Sequence, residues 1–125
     1  MSLILIIDDA AFTRRMLRKA LSAEGYQVIE ATNGAEGLEM AQTQNPDCIL
    51  VDLLMPVMDG FSVLETIRDR NLTIPVIVVS ADIQAGVRQR CLDLGASGFL
   101  NKPPKSAELQ QTIKQTLTSP QEMAQ

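Results

Sequence analysis

Five short runs of apolar residues recur along the chain and predict the strands of a sheet. They occupy residues 3–7, 28–31, 48–51, 76–79 and 98–100. The first, third and fourth runs are nearly continuous and rich in Ile, Val and Leu. This pattern is typical of strands that are covered on both faces, as in parallel sheets.

Amphipathic stretches with helical spacing separate these runs. The first stretch carries its apolar residues on one half of a helical wheel, namely Phe12, Met16, Leu17, Ala20 and Leu21. The later stretches are marked by Leu38 and Ala41, by Phe61, Leu64 and Ile67, by Ile83, Val87, Cys91 and Leu94, and by Leu109, Ile113 and Leu117. Asn33 is expected to cap the second helix, and Gly25 and Gly95 to end the first and fourth.

Strand and helix alternate five times, which predicts a single doubly wound α/β domain of the (βα)5 type. Parallel strands joined by right-handed helical crossovers satisfy this alternation. Residues 1–118 are expected to form the domain, and the polar residues 119–125 a flexible C-terminal tail. In the common strand order 2-1-3-4-5, strands 1 and 3 are neighbours and strands 4 and 5 follow.

Polar residues suited to one site follow four of the five apolar runs. Asp8 and Asp9 follow the first run, Asp52 the third, Ser80 the fourth and Lys102 the fifth. Ligands of open parallel sheets bind beyond the carboxyl ends of the strands. Taken singly, each residue has an ordinary structural interpretation, as a helix cap, a turn residue or a surface lysine. Their joint arrangement is what indicates a functional site.

The negative charges of three carboxylates in one pocket must be compensated. Two like charges ~4 Å apart repel by about 4 kcal/mol at an effective dielectric constant of 20. The carboxylates therefore need a cation or raised pKa values. Mg²⁺ suits such a pocket because it takes oxygen ligands and favours phosphate oxygens. A carboxylate beside a divalent ion and a lysine can act as a nucleophile and form an aspartyl phosphate.

Composition and charge exclude several other classes of function. The chain has 125 residues, of which 46% are hydrophobic and 21% charged, as expected for one globular domain. Its formal net charge of −4 argues against direct binding to nucleic acid. The sequence contains no histidine, so any chemistry must rest on carboxylates, lysine, hydroxyls or thiols.

The cysteines and the hydropathy pattern indicate a cytoplasmic protein without membrane contact. Cys48 and Cys91 do not form a CxxC motif and are expected to be two unpaired thiols, which fits a reducing compartment. No run approaches the ~20 apolar residues of a membrane span, and the N-terminus lacks the features of a signal peptide.

At these residues the sequence resembles the receiver domains of two-component response regulators, especially the small chemotaxis (CheY-like) type. The matching segments are LILIIDDAAFTRRML, ATNGAEGLEMA, PDCILVDLLMPVMDGFSVLETIR, IPVIVVSAD and GASGFLNKPP. They occur in the order typical of the family and extend from residue 3 to about residue 117. The resemblance implies a flavodoxin-like fold and a phospho-accepting switch rather than an ordinary enzyme.

The resemblance implies a role for each residue of the site. Asp52 matches the phosphoacceptor, and Asp9 and Asp52 match the direct carboxylate ligands of Mg²⁺ or Mn²⁺. Asp8 would support the metal through water, and the backbone carbonyl of Leu54 would be a further ligand. Lys102 matches the lysine that contacts the phosphoryl group.

Two further matches concern the switch. Ser80 matches the hydroxyl that moves toward the phosphoryl group, and Phe99 matches the aromatic residue that turns inward in response. Phe99 lacks the hydroxyl of a tyrosine switch. The Lys102–Pro103 bond matches one that is often cis in the family, and Pro104 replaces a frequent phenylalanine.

Leu54 and Asp82 match the two positions that tune dephosphorylation. Leu54 is apolar where many relatives carry a polar side chain beside the path of the attacking water. The lifetime of the phosphate is therefore expected to differ from that of those relatives.

The resemblance also implies partners. A sensor histidine kinase or a phosphotransfer protein would donate the phosphoryl group, and an output protein of unknown identity would read it. The basic face of the first helix (Arg14, Arg15, Arg18 and Lys19) is either a solvated surface or the docking surface for that donor. The chain is expected to be a monomer or weak dimer, and either a stand-alone regulator or part of a larger protein.

Three other functions are compatible with parts of the pattern. A phosphatase of the haloacid dehalogenase type would need a DxD pair after the first strand, whereas Asp8 and Asp9 are adjacent. A cofactor-binding flavodoxin-like protein would need a loop rich in Ser, Thr and Gly at that place. A degenerate receiver that only mediates protein contacts would not need the complete acidic set.

Overall fold

The computed structural model describes residues 2–81 and 84–118, and within these ranges strands and helices alternate as predicted. The elements are β1 (Leu3–Ile7), α1 (Ala11–Ala23), β2 (Gln27–Ala31), α2 (Gly34–Gln44), β3 (Cys48–Val51), α3 (Gly60–Asp69), β4 (Val76–Ser80), α4 (Ala85–Asp93), β5 (Gly98–Asn101) and α5 (Ser106–Thr118). Each strand end lies within one residue of its predicted position.

The sheet has the predicted order, β2-β1-β3-β4-β5, and its paired strands are parallel. The register places the carboxyl ends of β1 and β3 side by side, because Ile7 pairs with Val51. Asp8 and Asp52 follow these two residues directly, so the topology alone makes their backbones neighbours.

The hydrophobic core lies on both faces of the sheet. In β1, Leu5 and Ile7 point to the face covered by α2 and α3, while Ile4 and Ile6 point to the face covered by α1 and α5. All four side chains are completely buried. The continuous apolar runs in the sequence arise from this two-sided cover.

The predicted helix ends are confirmed where the structure describes them. Asn33 caps α2, and its side-chain oxygen accepts a hydrogen bond from the backbone N–H of Glu36 at 2.8 Å. Gly25 and Gly95 follow α1 and α4 with φ angles of 89° and 101°, in the left-handed region that glycine adopts without strain. Asp59 caps α3 by accepting from the N–H of Ser62, which holds the start of that helix beside the β3–α3 loop.

The prediction that Phe12 belongs to the apolar face of α1 is wrong. The buried line of this helix runs through Thr13, Leu17 and Leu21, whereas the side chain of Phe12 is 73% exposed. Successive residues of a helix are ~100° apart, so Phe12 is turned away from the line that begins at Thr13.

Both cysteines are unpaired, as predicted, but they are completely buried rather than partly buried as expected. Burial raises the pKa of the Cys48 thiol to about 12, so this side chain is an inert part of the core. The helices of the described residues include none that is long and apolar enough to cross a membrane. Asp82, Ile83 and the expected tail 119–125 lie outside the described residues.

Candidate functional site

Three carboxylates meet at the carboxyl edge of the sheet. One oxygen each of Asp8, Asp9 and Asp52 lies within 4.8 Å of the others. Asp8 and Asp52 are only 2% and 5% exposed, whereas Asp9 is exposed. The expectation that the acids following the first and third strands form one cluster is therefore confirmed.

Asp8 is held by the loop that it begins. Its backbone N–H donates to the carbonyl of Ala31 at 3.2 Å, which extends the β1–β2 pairing by one residue. Its Oδ1 accepts from the N–H of Ala10 at 2.8 Å, so the carboxylate closes a turn with its own loop. Helix α1 begins after Ala10 without a side-chain cap, and neither Asp8 nor Asp9 has the capping role that each might have had alone.

Asp52 is fixed by β1 and by the start of α3. Its N–H donates to the carbonyl of Ile7 at 3.0 Å. The N–H of Leu54 lies 3.5 Å from its Oδ1, which orients the carboxylate toward the loop. The N–H of Gly60 donates to the carbonyl of Leu53 at 3.0 Å, and this contact brings α3 against the backbone of Asp52.

Lys102 brings a positive charge into the acidic cluster. Its backbone N–H donates to the carbonyl of Ser80 at 2.8 Å, and this bond continues the β4–β5 pairing to Lys102. Its Nζ lies 3.0 Å from Oδ2 of Asp8 and 3.4 Å from Oδ2 of Asp52. The bond from Lys102 to Pro103 is cis, as the family resemblance implies.

The electrostatics of the cluster favour a further cation. Burial, and then the charge of Asp8, raise the pKa of the Asp52 carboxyl, although Lys102 opposes the shift. Burial would lower the pKa of Lys102, but its hydrogen bond to Asp8 and the charge of Asp52 outweigh burial and raise that pKa. With three carboxylates ionised against one ammonium, two negative charges remain uncompensated. Hard oxygen ligands with this excess charge fit a divalent ion of the Mg²⁺ type.

The two residues assigned to the switch lie on the neighbouring strands β4 and β5. Ser80 ends β4 and is completely buried. Phe99 pairs with Val78 in the sheet and is half-buried against the core on the side of α2 and α3. Leu54 projects its side chain to solvent, with 65% of it exposed, and the second tuning position, Asp82, lies outside the described residues.

An arginine that reaches the site was missed by the sequence analysis. Nη1 of Arg14 donates to the backbone carbonyl of Asp8 at 2.7 Å, and its Nε lies 3.1 Å from Oε1 of Glu30. Arg18 binds the other oxygen of Glu30. Burial opposes ionisation of Glu30, but the two arginines outweigh burial and lower its pKa.

The basic face of α1 is therefore divided. Arg15 and Lys19 are exposed, whereas Arg14 and Arg18 are engaged with β2. The signal that could have revealed this pair is their spacing of four residues, which places both on one side of the helix, together with a carboxylate, Glu30, on the adjacent strand.

Comparisons with known proteins agree with this geometry. The family model of the response regulator receiver domain matches residues 4–114. A sensor histidine kinase of Escherichia coli K12, RcsC, is 40% identical over 116 residues, which are 93% of this chain and 12% of that protein. The response regulator MprA of Mycobacterium leprae is 36% identical over 98% of this chain and 54% of its own length. The chain thus spans about half or less of these relatives.

The structure of chemotaxis protein CheY4 of Vibrio cholerae superimposes with a TM-score of 0.87 at 31% identity, covering 94% of this chain and 99% of that one. The strand order, the acidic cluster and the family model all indicate the same family. The chain belongs to the family of response regulator receiver domains, which serve two-component signalling.

Proposed function

We propose that Asp52 accepts a phosphoryl group from a sensor histidine kinase or a phosphotransfer protein and thereby switches a partner-binding surface. The observation that carries this proposal is the convergence of Asp8, Asp9 and Asp52 within 4.8 Å, with Nζ of Lys102 in contact with two of them. Similarity to a sensor histidine kinase and to a response regulator supports a donor of this class.

Asp9, Asp52 and the backbone carbonyl of Leu54 would hold Mg²⁺ or Mn²⁺ directly, with Asp8 contributing through water. Such an ion supplies charge neutralisation and orients the oxygens of the phosphoryl group. The bond between the N–H of Leu54 and Oδ1 of Asp52 supports this set, since it keeps the loop that bears the carbonyl beside the carboxylate.

A carboxylate oxygen of Asp52 attacks the phosphorus, and the bond from phosphorus to the donor breaks as the acyl phosphate forms. The ammonium of Lys102, already 3.4 Å from Asp52, is placed to hold an oxygen of the transferred group. The chain is itself the acceptor, so it acts as a signalling switch that catalyses only its own phosphorylation and slow dephosphorylation.

Ser80 and Phe99 are the proposed relay from the phosphate to the surface. Phosphorylation would draw the hydroxyl of Ser80 toward Asp52 and allow the ring of Phe99 to turn inward. The two states would pre-exist, and the phosphate would shift their populations. The burial of Ser80 and the half-burial of Phe99 support this role, since neither side chain can move without a change in the packing around it.

Leu54 is proposed to set the lifetime of the phosphate together with Asp82. Its N–H contacts the Asp52 carboxylate, and its exposed side chain offers no polar atom to orient water. We further propose that residues 1–118 form a receiver domain that acts as a monomer or weak dimer in the cytoplasm. The free, buried cysteines fit the reducing conditions of that compartment.

The test is incubation with acetyl phosphate and Mg²⁺, followed by intact-protein mass spectrometry. The wild-type chain should gain one phosphoryl mass, and EDTA should prevent the gain. Asp52→Asn should gain nothing, whereas Asp59→Asn is the matched control, because Asn still caps α3 and lies outside the cluster. A wild-type chain that gains no mass from acetyl phosphate or from any histidine kinase would support a degenerate receiver instead.

A further inference from the structure

Arg14 connects the acidic cluster to a residue far from it in sequence. Its side chain is 16% exposed, and its guanidinium contacts the carbonyl of Asp8 and the carboxylate of Glu30 at the same time. Glu30 is fixed in β2, whose residues pair with β1 up to Ile7 and Ala31. The arginine is thus anchored on the sheet and reaches over to the loop that carries two of the acids.

The Asp8–Ala10 loop is attached at Asp8 to β2 and to Lys102, and further along by contacts within the chain segment that leads into α1. The N–H of Ala10 closes the turn with Oδ1 of Asp8, and the backbone N–H of Arg14 donates to the carbonyl of Ala10 at 3.1 Å as the first turn of α1 forms. Arg14 therefore binds the loop through its backbone at one end and through its side chain at the other. Asp9 lies between these two attachments.

We propose that Arg14 is a positioning residue that sets the metal affinity of the acidic cluster by fixing the Asp8–Ala10 loop. The inference rests on the proposed function. Arg14 would not touch the ion. It holds the Asp8 carbonyl in place, so the Asp8 and Asp9 carboxylates converge with Asp52 before a metal arrives, and the cost of ordering them is removed from binding.

The charge of Arg14 and its positioning role predict opposite changes in Mg²⁺ affinity when the side chain is removed, so the proposal can be tested. A cation near the cluster repels a divalent ion, so on electrostatic grounds alone removal of the guanidinium would tighten Mg²⁺ binding. If the positioning role dominates, removal weakens binding instead. Arg18 is the matched control, since it binds the other oxygen of the same Glu30, whereas the guanidinium that donates to the Asp8 carbonyl is that of Arg14.

The experiment compares wild type, Arg14→Met and Arg18→Met by titration of Mg²⁺ into ¹⁵N-labelled protein, following the amide signals of Asp9, Asp52 and Leu54 by NMR. Arg14→Met should weaken Mg²⁺ binding by about tenfold, the lower end of the effect of residues that orient metal ligands. Arg18→Met should change the dissociation constant by less than about twofold, because Arg14 remains on the Asp8 carbonyl. Arg14→Lys should recover part of the loss, since an ammonium can still donate to that carbonyl.

Each outcome decides the proposal. Equal dissociation constants in the two methionine variants, or tighter binding in Arg14→Met, would overturn it. If Arg14→Met does not fold, Arg14→Lys is compared with Arg18→Lys, and equal affinities overturn it in the same way. If the amide signals of the wild-type protein do not shift with Mg²⁺, the proposed function fails at the metal site. If the wild-type protein binds Mg²⁺ and Arg14→Met binds it equally well, only the positioning role of Arg14 fails.

Discussion

The ammonium of Lys102 lies 3.0 Å from Oδ2 of Asp8, although β5 and β1 are separated in the sheet by β3 and β4. The lysine side chain spans the carboxyl ends of the two intervening strands and passes Asp52 at 3.4 Å. One cation therefore ties the last strand to the first across the site. The contact also leaves the acidic cluster only partly neutralised, because three carboxylates face one ammonium.

Removal of the Lys102 charge should destabilise the fold. In Lys102→Met, the nearly buried carboxylates of Asp8 and Asp52 lose the cation between them, and the free energy of unfolding should fall by about 2 kcal/mol at pH 7. Urea denaturation in EDTA measures the change. Lys105→Met is the control, since Lys105 is exposed and its loss should cost less than about 0.5 kcal/mol. Equal losses in the two variants would show that the Lys102 contacts contribute nothing.

The stability contributed by Lys102 should also depend on pH. Because the pKa of Lys102 is raised in the folded protein, its contribution is fully present below 10.5, the value for a free lysine. It is lost as the pH rises through the higher folded value. The difference between wild type and Lys102→Met should therefore narrow above pH 10.5, and unfolding curves at several alkaline pH values measure this.

Asp52→Asn should have the opposite effect and stabilise the protein without metal. Burial and the charge of Asp8 raise the pKa of Asp52, so ionised Asp52 destabilises the folded state. The asparagine variant should gain about 1 kcal/mol at pH 7. This advantage should shrink as the pH falls through the raised folded pKa toward 3.8, because wild-type Asp52 then takes up a proton. Thermal unfolding of both proteins in EDTA between pH 7 and 4 checks the sign; a variant less stable than wild type at pH 7 would contradict it.

Gly60 should be required for the position of Asp52. A Cβ at residue 60 would lie 2.6 Å from the carbonyl oxygen of Asp52 and 2.8 Å from Cα of Leu53, and backbone atoms cannot move aside cheaply. Gly60→Ala should cost about 2 kcal/mol of stability and weaken Mg²⁺ binding. Gly86→Ala is the control: nothing lies within 4 Å of its Cβ, so better helix propensity in α4 should add about 1 kcal/mol. Unfolding curves that place both variants on the same side of wild type would be inconsistent with this account.

The sequence was sufficient to predict the sheet and the acidic cluster, and the reason is topological. Strands buried on both faces give unbroken apolar runs, so their ends can be located within one residue. Parallel order then places whatever follows β1 and β3 at one edge, and Asp8, Asp9 and Asp52 needed no side-chain geometry to be grouped.

Features that depend on where a side chain points were not predictable in the same way. Phe12 was assigned to the core because it is hydrophobic, but its position on the helical wheel of α1 turns its side chain to solvent. Arg14 and Arg18 were assigned to a basic surface because of their charge. Their partner, Glu30, lies on β2, so no helical spacing within α1 could predict the contact. The left-handed backbone of Val57 likewise follows from how the β3–α3 loop closes.

Leu54→Asn should shorten the lifetime of the phosphorylated form. An amide at this exposed position can hydrogen-bond a water beside Asp52, whereas leucine cannot orient one. Dephosphorylation should accelerate by about tenfold, a modest part of what orientation of a reactant contributes. Loss of the phosphoryl mass after removal of acetyl phosphate measures the rate. Leu92→Asn, on the exposed side of α4, should leave it unchanged, and an unaltered rate in Leu54→Asn would exclude this role for the side chain.

Val57 holds a backbone conformation that a β-branched residue rarely adopts, with a φ angle of 72°. The N–H of Met58 donates to the carbonyl of Pro56 at 2.8 Å and closes a γ-turn around Val57. Its side chain is fully exposed, so truncation removes no packing. Val57→Gly should raise the free energy of unfolding by about 1 kcal/mol, since relief of strain exceeds the extra entropy of an unfolded glycine.

Asn71→Gly provides the comparison for Val57→Gly. Asn71 also has a positive φ, of 55°, but asparagine tolerates this region, so its replacement should change stability by less than about 0.5 kcal/mol. Urea denaturation of both variants separates the strain of the valine from the general effect of glycine on the unfolded chain. If Val57→Gly is no more stable than wild type, or if Asn71→Gly gains as much, the β3–α3 loop does not store strain at Val57.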